Sequence, residues 1–354
     1  MVLNVNRRIP LCFVLAVILM QPVYAQIGGL STYNFLKLTP SARVTALGGA
    51  ALATHDNDVN LAYFNPAMLN QEMDQRIGMS IVNYVADINY GNVSYAHHHS
   101  DRVGTFGGAV SYINYGKFEQ TDPAGNVMGT FNANELAVQL GWGKEINPRM
   151  RTGANVKYIG SFLESYRSHG LAIDMSAMYI DTANRVNVAF IVRNFGMQIS
   201  TYEPEGLRSN LPLDVQLAFT NRLKYVPFRW GLVLHNLHNW RLRYDDPSDV
   251  YYRQRVLLND GEEQVAQGNP IVDEFFRHII INGELLLSKN FHLRVGYNHQ
   301  RRRELLIPTR LGASGFSWGF GIQVKRFRFD YGSGALTLAG ASNNFSITTN
   351  LSDW

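Results

Sequence analysis

The feature that most constrains this chain is a strict alternation of apolar and polar residues, recurring in runs that mostly span 10 to 14 residues. Leu211, Leu213, Val215, Leu217 and Phe219 alternate with Asp214, Gln216 and Thr220, and Phe291, Leu293, Val295 and Tyr297 with His292, Arg294, Gly296 and Asn298. Phe316, Trp318, Phe320, Ile322 and Val324 repeat the pattern against Ser317, Gly319, Gly321, Gln323 and Lys325, and Phe327, Phe329 and Tyr331 against Arg328 and Asp330. Successive strand side chains point to opposite faces, so each run makes a strand with one greasy and one polar face.

Alternation alone does not say which face is inside. In a soluble sandwich the apolar face is buried, whereas in an outer-membrane barrel it meets lipid and the polar face lines the lumen. Two features favour the barrel. The runs exceed the five or six residues typical of soluble strands and suffice for a tilted bilayer crossing. The polar faces are also rich in Gly, Asn and Gln and carry few of the Lys and Glu residues that dress a soluble surface.

The pattern predicts fourteen strands, near 77–86, 90–98, 103–115, 131–144, 149–162, 169–181, 186–197, 211–223, 228–241, 277–289, 291–301, 314–325, 327–338 and 343–351. An even number returns the C-terminus to the side on which the strands begin. Short joints at 100–102, 146–148, 182–184, 224–227, Asn290 and Arg326 alternate with long ones at 116–130, 198–210, 242–277 and 302–315. Short periplasmic turns and long outer loops give this rhythm; the short outer joint at 86–89 breaks it. The expected fold class is therefore an all-β, fourteen-stranded antiparallel transmembrane β-barrel over residues 76–354.

The N-terminus predicts export. Arg7 and Arg8 precede an apolar core from Ile9 to Met20, and Val23-Tyr24-Ala25 forms a small-residue cleavage site before Gln26. These are the marks of a cleaved signal peptide over residues 1–25, favoured over a membrane anchor because the apolar run is shorter than the roughly 18 residues a spanning helix needs. Cys12, the single cysteine, lies within it, so a chain starting near Gln26 contains no disulfide. Charged residues make up 17% of the chain, against about 25% in average soluble domains, and the net charge of +4 is too diffuse to imply nucleic acid.

Residues 26–75 lack the alternation. The stretch from Tyr33 to Asn70 is dense in small residues (Ala46, Gly48, Gly49, Ala50, Ala51, Ala53), carries Asp56 and Asp58, and ends in Asn65-Pro66-Ala67. Small side chains let backbones approach closely. This composition predicts a plug that fills the barrel lumen, with an N-terminal cap on a soluble β domain as the alternative.

No serine or histidine sits in a recognisable nucleophile elbow or paired motif, so no catalytic residue is assigned and no cofactor is expected. His97-His98-His99 offers imidazoles, but on a strand at most two share a face, and a solvated turn is the favoured reading over a metal site. Asp56 and Asp58 with Asn57 and Asn60 do not have EF-hand spacing, which favours capping and hydrogen bonding over calcium. Arg301-Arg302-Arg303, at the expected outer end of a strand, suits lipopolysaccharide phosphates or a generic basic loop edge. The loop over 242–277 is polar until Ile271–Phe276 turns amphipathic; its length points either to the main protein-contacting surface, with Tyr251, Tyr252, Phe275 and Phe276 as candidate contacts, or to a mobile loop.

The acidic, alanine-rich segment followed by Asn65-Pro66-Ala67 resembles the N-terminal hatch of FadL-like outer-membrane proteins, whose barrels have fourteen strands. Tyr33-Asn34-Phe35-Leu36, Ser41-Ala42-Arg43, Ala46-Leu47-Gly48-Gly49, Asp56-Asn57-Asp58 and Asn65-Pro66-Ala67 together are similar to the PorQ family, FadL-like components of the type IX secretion system. The resemblance implies a non-enzymatic protein of the attachment complex. Its outer loops would hold the surface protein PorZ, beside the sortase PorU and the cargo shuttle PorV, where cargo is joined to lipopolysaccharide. It also marks Ser41, Ala42, Arg43, Gly48, Gly49, Asp56, Asp58, Asn65 and Pro66 as plug residues. The competing expectations are a FadL-type transporter of hydrophobic small molecules and, in a third class, a surface lipid hydrolase.

Overall fold

The alternating segments are realised as a closed antiparallel sheet. The computed structural model describes residues 31–50, 52–84, 87–243, 270–305, 313–337 and 340–354; the expected signal peptide, and Tyr251 and Tyr252, lie outside the described residues. The strands are β1 (Arg76–Asn83), β2 (Asn89–Ser100), β3 (Gly104–Thr121), β4 (Val127–Asn147), β5 (Met150–Leu163), β6 (Tyr166–Asp181) and β7 (Val186–Ser200). They continue as β8 (Asp214–Arg222), β9 (Phe228–Leu234), β10 (Ile279–Leu286), β11 (Phe291–Asn298), β12 (Phe316–Val324), β13 (Phe327–Thr337) and β14 (Gly340–Asn350). Each strand pairs with the next, and β1 closes the barrel on β14 in a register running from Arg76↔Asn350 to Asn83↔Asn343.

The two faces are sorted in the order that hydrocarbon demands. Met79, Ile81, Val93, Phe106, Val110, Leu140, Val156, Phe190, Val295, Trp318 and Phe345 are exposed on the outside. The intervening Ser80, Asn92, Ser94, Ser111, Gln139, Asn155, Gln216, Ser346 and Thr348 are buried inside. A soluble protein buries the first set and wets the second; here the apolar set faces lipid.

Three local departures from the expected strands have physical causes. β3 and β4 run for 18 and 21 residues, so the expected long loop over 116–130 is mostly a two-stranded ribbon. Its pairs run from Lys117↔Asn132 to Thr121↔Val127, past a bulge at Asn114. Both of its faces are open to solvent, so nothing selects for alternation. Its tip is a tight turn in which Asp122 Oδ1 accepts the amides of Ala124 and Asn126, each at 2.9 Å, and Gly125 supplies φ +87°. β9 stops at Leu234 rather than near 241, because Asn236 turns the chain at φ 54° with its amide donated to Asp214 Oδ1 at 2.8 Å. β11 stops at Asn298, whose side chain accepts the Arg301 amide at 3.1 Å and opens a short helix.

Among the described residues three short α-helices lie outside the sheet: α1 (Ala42–Ala46), α2 (Pro270–Arg277) and α3 (His299–Glu304). The amphipathic run expected at 271–276 is α2. The arginine triplet expected at a strand end lies on α3 instead, which is the correction that the Asn298 cap imposes.

Leu140 is 69% exposed on the outer face, near the middle of the span of β4 and β5. Leu140→Arg should lower unfolding stability by about 2–4 kcal/mol, the cost of a cation at bilayer mid-depth. Urea-unfolding equilibria in vesicles measure this, with the outer-loop change Leu207→Arg expected to be near neutral.

Candidate functional site

The site is the contact between residues 33–75 and the inner wall. α1 packs on β11, β12, β13 and β14. The 3-10 turn Val59–Tyr63 packs on β1, β2 and β4, and the turn Pro66–Met68 packs on β4, β5 and β6. The segment therefore touches strands on opposite sides of the barrel, and Phe35, Leu36, Val44, Leu61, Phe64, Met68 and Leu69 are almost fully buried inside it.

Local chemistry shapes each turn. Ser41 caps α1 by accepting the Val44 amide at 3.4 Å, while the Ala42 amide is donated to Ser346 Oγ on β14 at 3.0 Å. Gly48 and Gly49 end α1 at φ +96° and +84°, with the Gly49 amide returning to Val44 O at 2.9 Å. Asp58 caps the turn at 59–63 through the Asn60 amide at 3.2 Å, and Asn60 bridges the walls by donating to Thr348 Oγ1 at 3.3 Å and accepting from Ser94 Oγ at 2.8 Å. Asn65 caps the turn at 66–68 and donates to Leu52 O at 3.0 Å. The wall answers with Ser176 Oγ on the Ala67 amide at 2.8 Å and with Arg151, which donates to Ala67 O at 3.2 Å and Leu69 O at 2.7 Å.

The wall is cut to fit. A Cβ on Gly143 would lie 2.6 Å from Pro66 O, and one on its cross-strand partner Gly153 would lie 2.6 Å from Ala67 N. On the opposite side a Cβ on Gly332 would strike Ala42 O. Glycines where the backbones meet let the segment sit directly on the sheet.

At the heart of the contact is a charged clasp. Arg43 pairs with Asp56 at 2.7 Å, Asp58 at 3.3 Å and Glu284 of β10 at 3.2 Å. Arg229 of β9 reaches Asp56 at 3.5 Å and Glu284 at 3.3 Å. Arg294 of β11 joins Glu284 at 2.8 Å to Asp330 of β13 at 2.6 Å, and Arg328 holds Asp330 at 3.0 Å. Arg43, Arg229, Arg294 and Arg328 thus face Asp56, Asp58, Glu284 and Asp330 in one connected cluster that balances in charge. Burial pushes the Asp56 carboxyl up, but Arg43 and Arg229 outweigh it and hold the group well below the usual carboxylate range. A second buried knot joins β5, β6 and β7, where Lys157 Nζ meets Asp174 Oδ2 at 2.7 Å and Asn194 Oδ1 at 2.9 Å, filling the bulge between Arg193 and Asn194.

Two of the spaces inside are small, the larger with polar walls and the smaller with mainly apolar ones. One of about 180 Å³ is lined by Lys37, Arg193, Asp214, His235 and Arg301, and one of about 10 Å³ lies between Tyr63, Leu69 and the β2–β4 wall. Ligand pockets typically span about 300–1,000 Å³ with mainly apolar walls.

The other sequence candidates are dispersed. A Cβ on Gly49 would collide with the Arg301 guanidinium, so Arg301 turns inward over the N-terminal segment. Arg302 donates to Ser314 Oγ at 3.3 Å, and Arg303 pairs with Asp273 at 2.8 Å. Phe275 and Phe276 are exposed on α2. His97 and His98 belong to β2 rather than to a turn, with His97 Nδ1 3.1 Å from Asp74 and His98 Nδ1 2.9 Å from Thr105. Among the described residues no group of three or more His, Cys, Asp or Glu is placed to hold a metal. Sequence reasoning missed Arg229, Glu284, Lys157 and Asp174 as site residues. Their signal is a charged residue on the inward phase of an alternating strand, as in Gly283-Glu284-Leu285.

Arg43→Ala leaves Asp58 and Glu284 buried with less compensation and should cost about 3–5 kcal/mol. Hydrogen exchange should rise across 41–49 while the strand amides stay protected. Gly153→Ala should cost about 1–3 kcal/mol from overpacking, whereas Gly129→Ala, whose nearest neighbour lies at 3.6 Å, should be near neutral in the same unfolding assay.

No family model matches this chain, and no curated protein matches it. Solved structures do. The toluene transporter TbuX of Ralstonia pickettii is similar with a TM-score of 0.51 at 10% identity, over 89% of this chain and 99% of that one. The monoaromatic hydrocarbon channel CymD gives 0.50 at 11%, over 90% and 99%, and the deltaS2 mutant of the monoaromatic hydrocarbon channel TodX gives 0.50 at 11%, over 87% and 96%. Identities this low speak for the fold alone. Together with the closed fourteen-stranded sheet and its lipid-facing apolar belt, they make this chain an outer-membrane β-barrel of the FadL-like fold.

Proposed function

We propose that this barrel is a non-enzymatic anchor of a type IX secretion system, which holds a PorZ-like surface protein of the attachment complex through its outer face. The observation that carries the reading is a lumen filled and clasped from within while apolar surface stands open above the bilayer. Arg43 and Asp56 tie the N-terminal segment to β10 and β9 through Glu284 and Arg229, and the bulge in β7 is filled by Lys157 and Asp174. The β3–β4 ribbon projects beyond the rim with Phe118 stacked on Phe131 at 5.4 Å and with Val127 and Met128 59% and 73% exposed. Beside it lie clefts of about 530 Å³ and 380 Å³ that share Leu163 and Tyr166. Aromatic and methionine side chains around clefts suit a protein partner. The N-terminal resemblance supplies the class of partner, with PorU and PorV as neighbours in the same complex.

The second reading, a FadL-type transporter of hydrophobic small molecules, is favoured by the fold shared with hydrocarbon channels and by the partly apolar outer cleft of Leu163, Tyr166, Tyr202 and Leu207. It requires the clasp to open and the plug to shift.

Tagged barrel recovered from native outer membranes should bring down a surface protein. Replacing residues 117–130 by a two-residue turn, or deleting 244–269, should leave the barrel assembled and release that protein. Full retention by both variants contradicts the anchor. Toluene accumulation that disappears when the plug is tethered to the wall by an Ala67→Cys and Ser176→Cys disulfide would establish the transporter.

A further inference from the structure

α2 lies at the outer rim, at the C-terminal end of the loop that joins β9 to β10 and directly before β10. Its eight residues, about 12 Å of helix, divide cleanly. Asp273 and Arg277 fall on one side, and Ile271, Val272, Phe275 and Phe276 fall within one arc on the other.

The polar side is fully engaged. Asp273 accepts from Arg277 Nε at 2.8 Å, stands 3.3 Å from His299 Nε2 and pairs with Arg303 Nε at 2.8 Å, so one carboxylate fastens α2 to α3. Glu274 accepts the Leu242 amide. With that side fixed against the protein, the apolar side must face outward, and Ile271, Val272, Phe275 and Phe276 are 75%, 49%, 45% and 46% exposed.

What covers that side follows from its continuity with the lipid belt. The Phe276 ring lies 5.9 Å from His299, whose ring is 6.1 Å from Tyr297, and Tyr297 packs 4.8 Å from Phe316. Tyr297 and Phe316 are the outermost members of the alternating lipid-facing rows of β11 and β12, above Val295 and Trp318. On the other flank Phe275 lies 6.4 Å from Trp240. Aromatic rings therefore run without a break from the bilayer surface of the barrel onto α2. Aromatic belts mark the membrane interface, and short helices with one apolar and one charged face lie in that plane.

We infer that α2 is an interfacial helix whose Ile271, Val272, Phe275 and Phe276 side chains enter the acyl chains at the top of the outer leaflet, with Asp273 as the fastening that sets its roll. The inference is independent of whether the barrel holds a partner or transports a solute. It makes the base of the long loop a membrane-seated platform instead of part of a free loop.

Residues 26–354 contain no cysteine, so single labels are straightforward. Val272→Cys and Phe275→Cys, each carrying nitrobenzoxadiazole, are placed in nanodiscs of phosphatidylcholine brominated in its acyl chains, after heat-modifiable gel mobility has shown that each barrel is folded. Val295→Cys marks the lipid belt and Leu207→Cys the aqueous loops. Both α2 labels should be quenched by the brominated chains comparably to position 295 and protected from aqueous iodide relative to position 207. Iodide quenching at the level of position 207, or protection from both quenchers as a second protein copy would give, overturns the inference.

Discussion

The structure depends on placing four arginines and four carboxylates inside a barrel whose outside is hydrocarbon. Charges removed from water are tolerated only when paired, and here the pairing is divided between two parts of the chain. Arg43, Asp56 and Asp58 come from the N-terminal segment, whereas Arg229, Glu284, Arg294, Arg328 and Asp330 come from strands. Glu284 is the hinge of the arrangement, because it touches Arg43, Arg229 and Arg294 at once. Without the segment, Glu284 loses Arg43; without the wall, Arg43 has only the acids of its own loop. Each half completes the other, which explains why a segment with no regular strand and one five-residue helix is nonetheless almost entirely buried.

Close approach reinforces charge. Pro66 rests on the paired Gly143 and Gly153, Ala42 on Gly332, and Leu47 and Gly48 on Gly296. These are backbone-to-backbone contacts that a single methyl group would obstruct, and they occur on both sides of the lumen. Small residues in the N-terminal segment and glycines in the wall are thus two expressions of one steric requirement. The segment sits directly on the sheet, while the clefts around Leu163 and Tyr166 lie beside the β3–β4 ribbon.

The alternation in the sequence carried the barrel and its strand count, because a lipid-facing row and a lumen-facing row must alternate wherever a strand crosses. It did not carry the ribbon beyond Asn114, since a ribbon wet on both faces imposes no alternation on residues 117–130. Nor did it carry α3: Arg301, Arg302 and Arg303 read as a basic strand end until Asn298 is seen to cap a helix that sends them in three directions. The N-terminal segment stood out in the sequence through its missing alternation, its glycines and its paired acids. The partners of those acids were not, because inward charges such as Arg229 and Glu284 acquire meaning only once the sheet closes and brings β9 and β10 against Asp56.

A sealed interior beneath an adhesive outer rim is the claim on which the functional account stands. The most direct measurement is the conductance of the purified barrel in planar bilayers, with Arg43→Ala in parallel. The account predicts that the native protein stays closed to small ions at neutral pH and that the variant shows intermittent openings as its plug loosens. Steady, frequent channel openings by the native protein would contradict it.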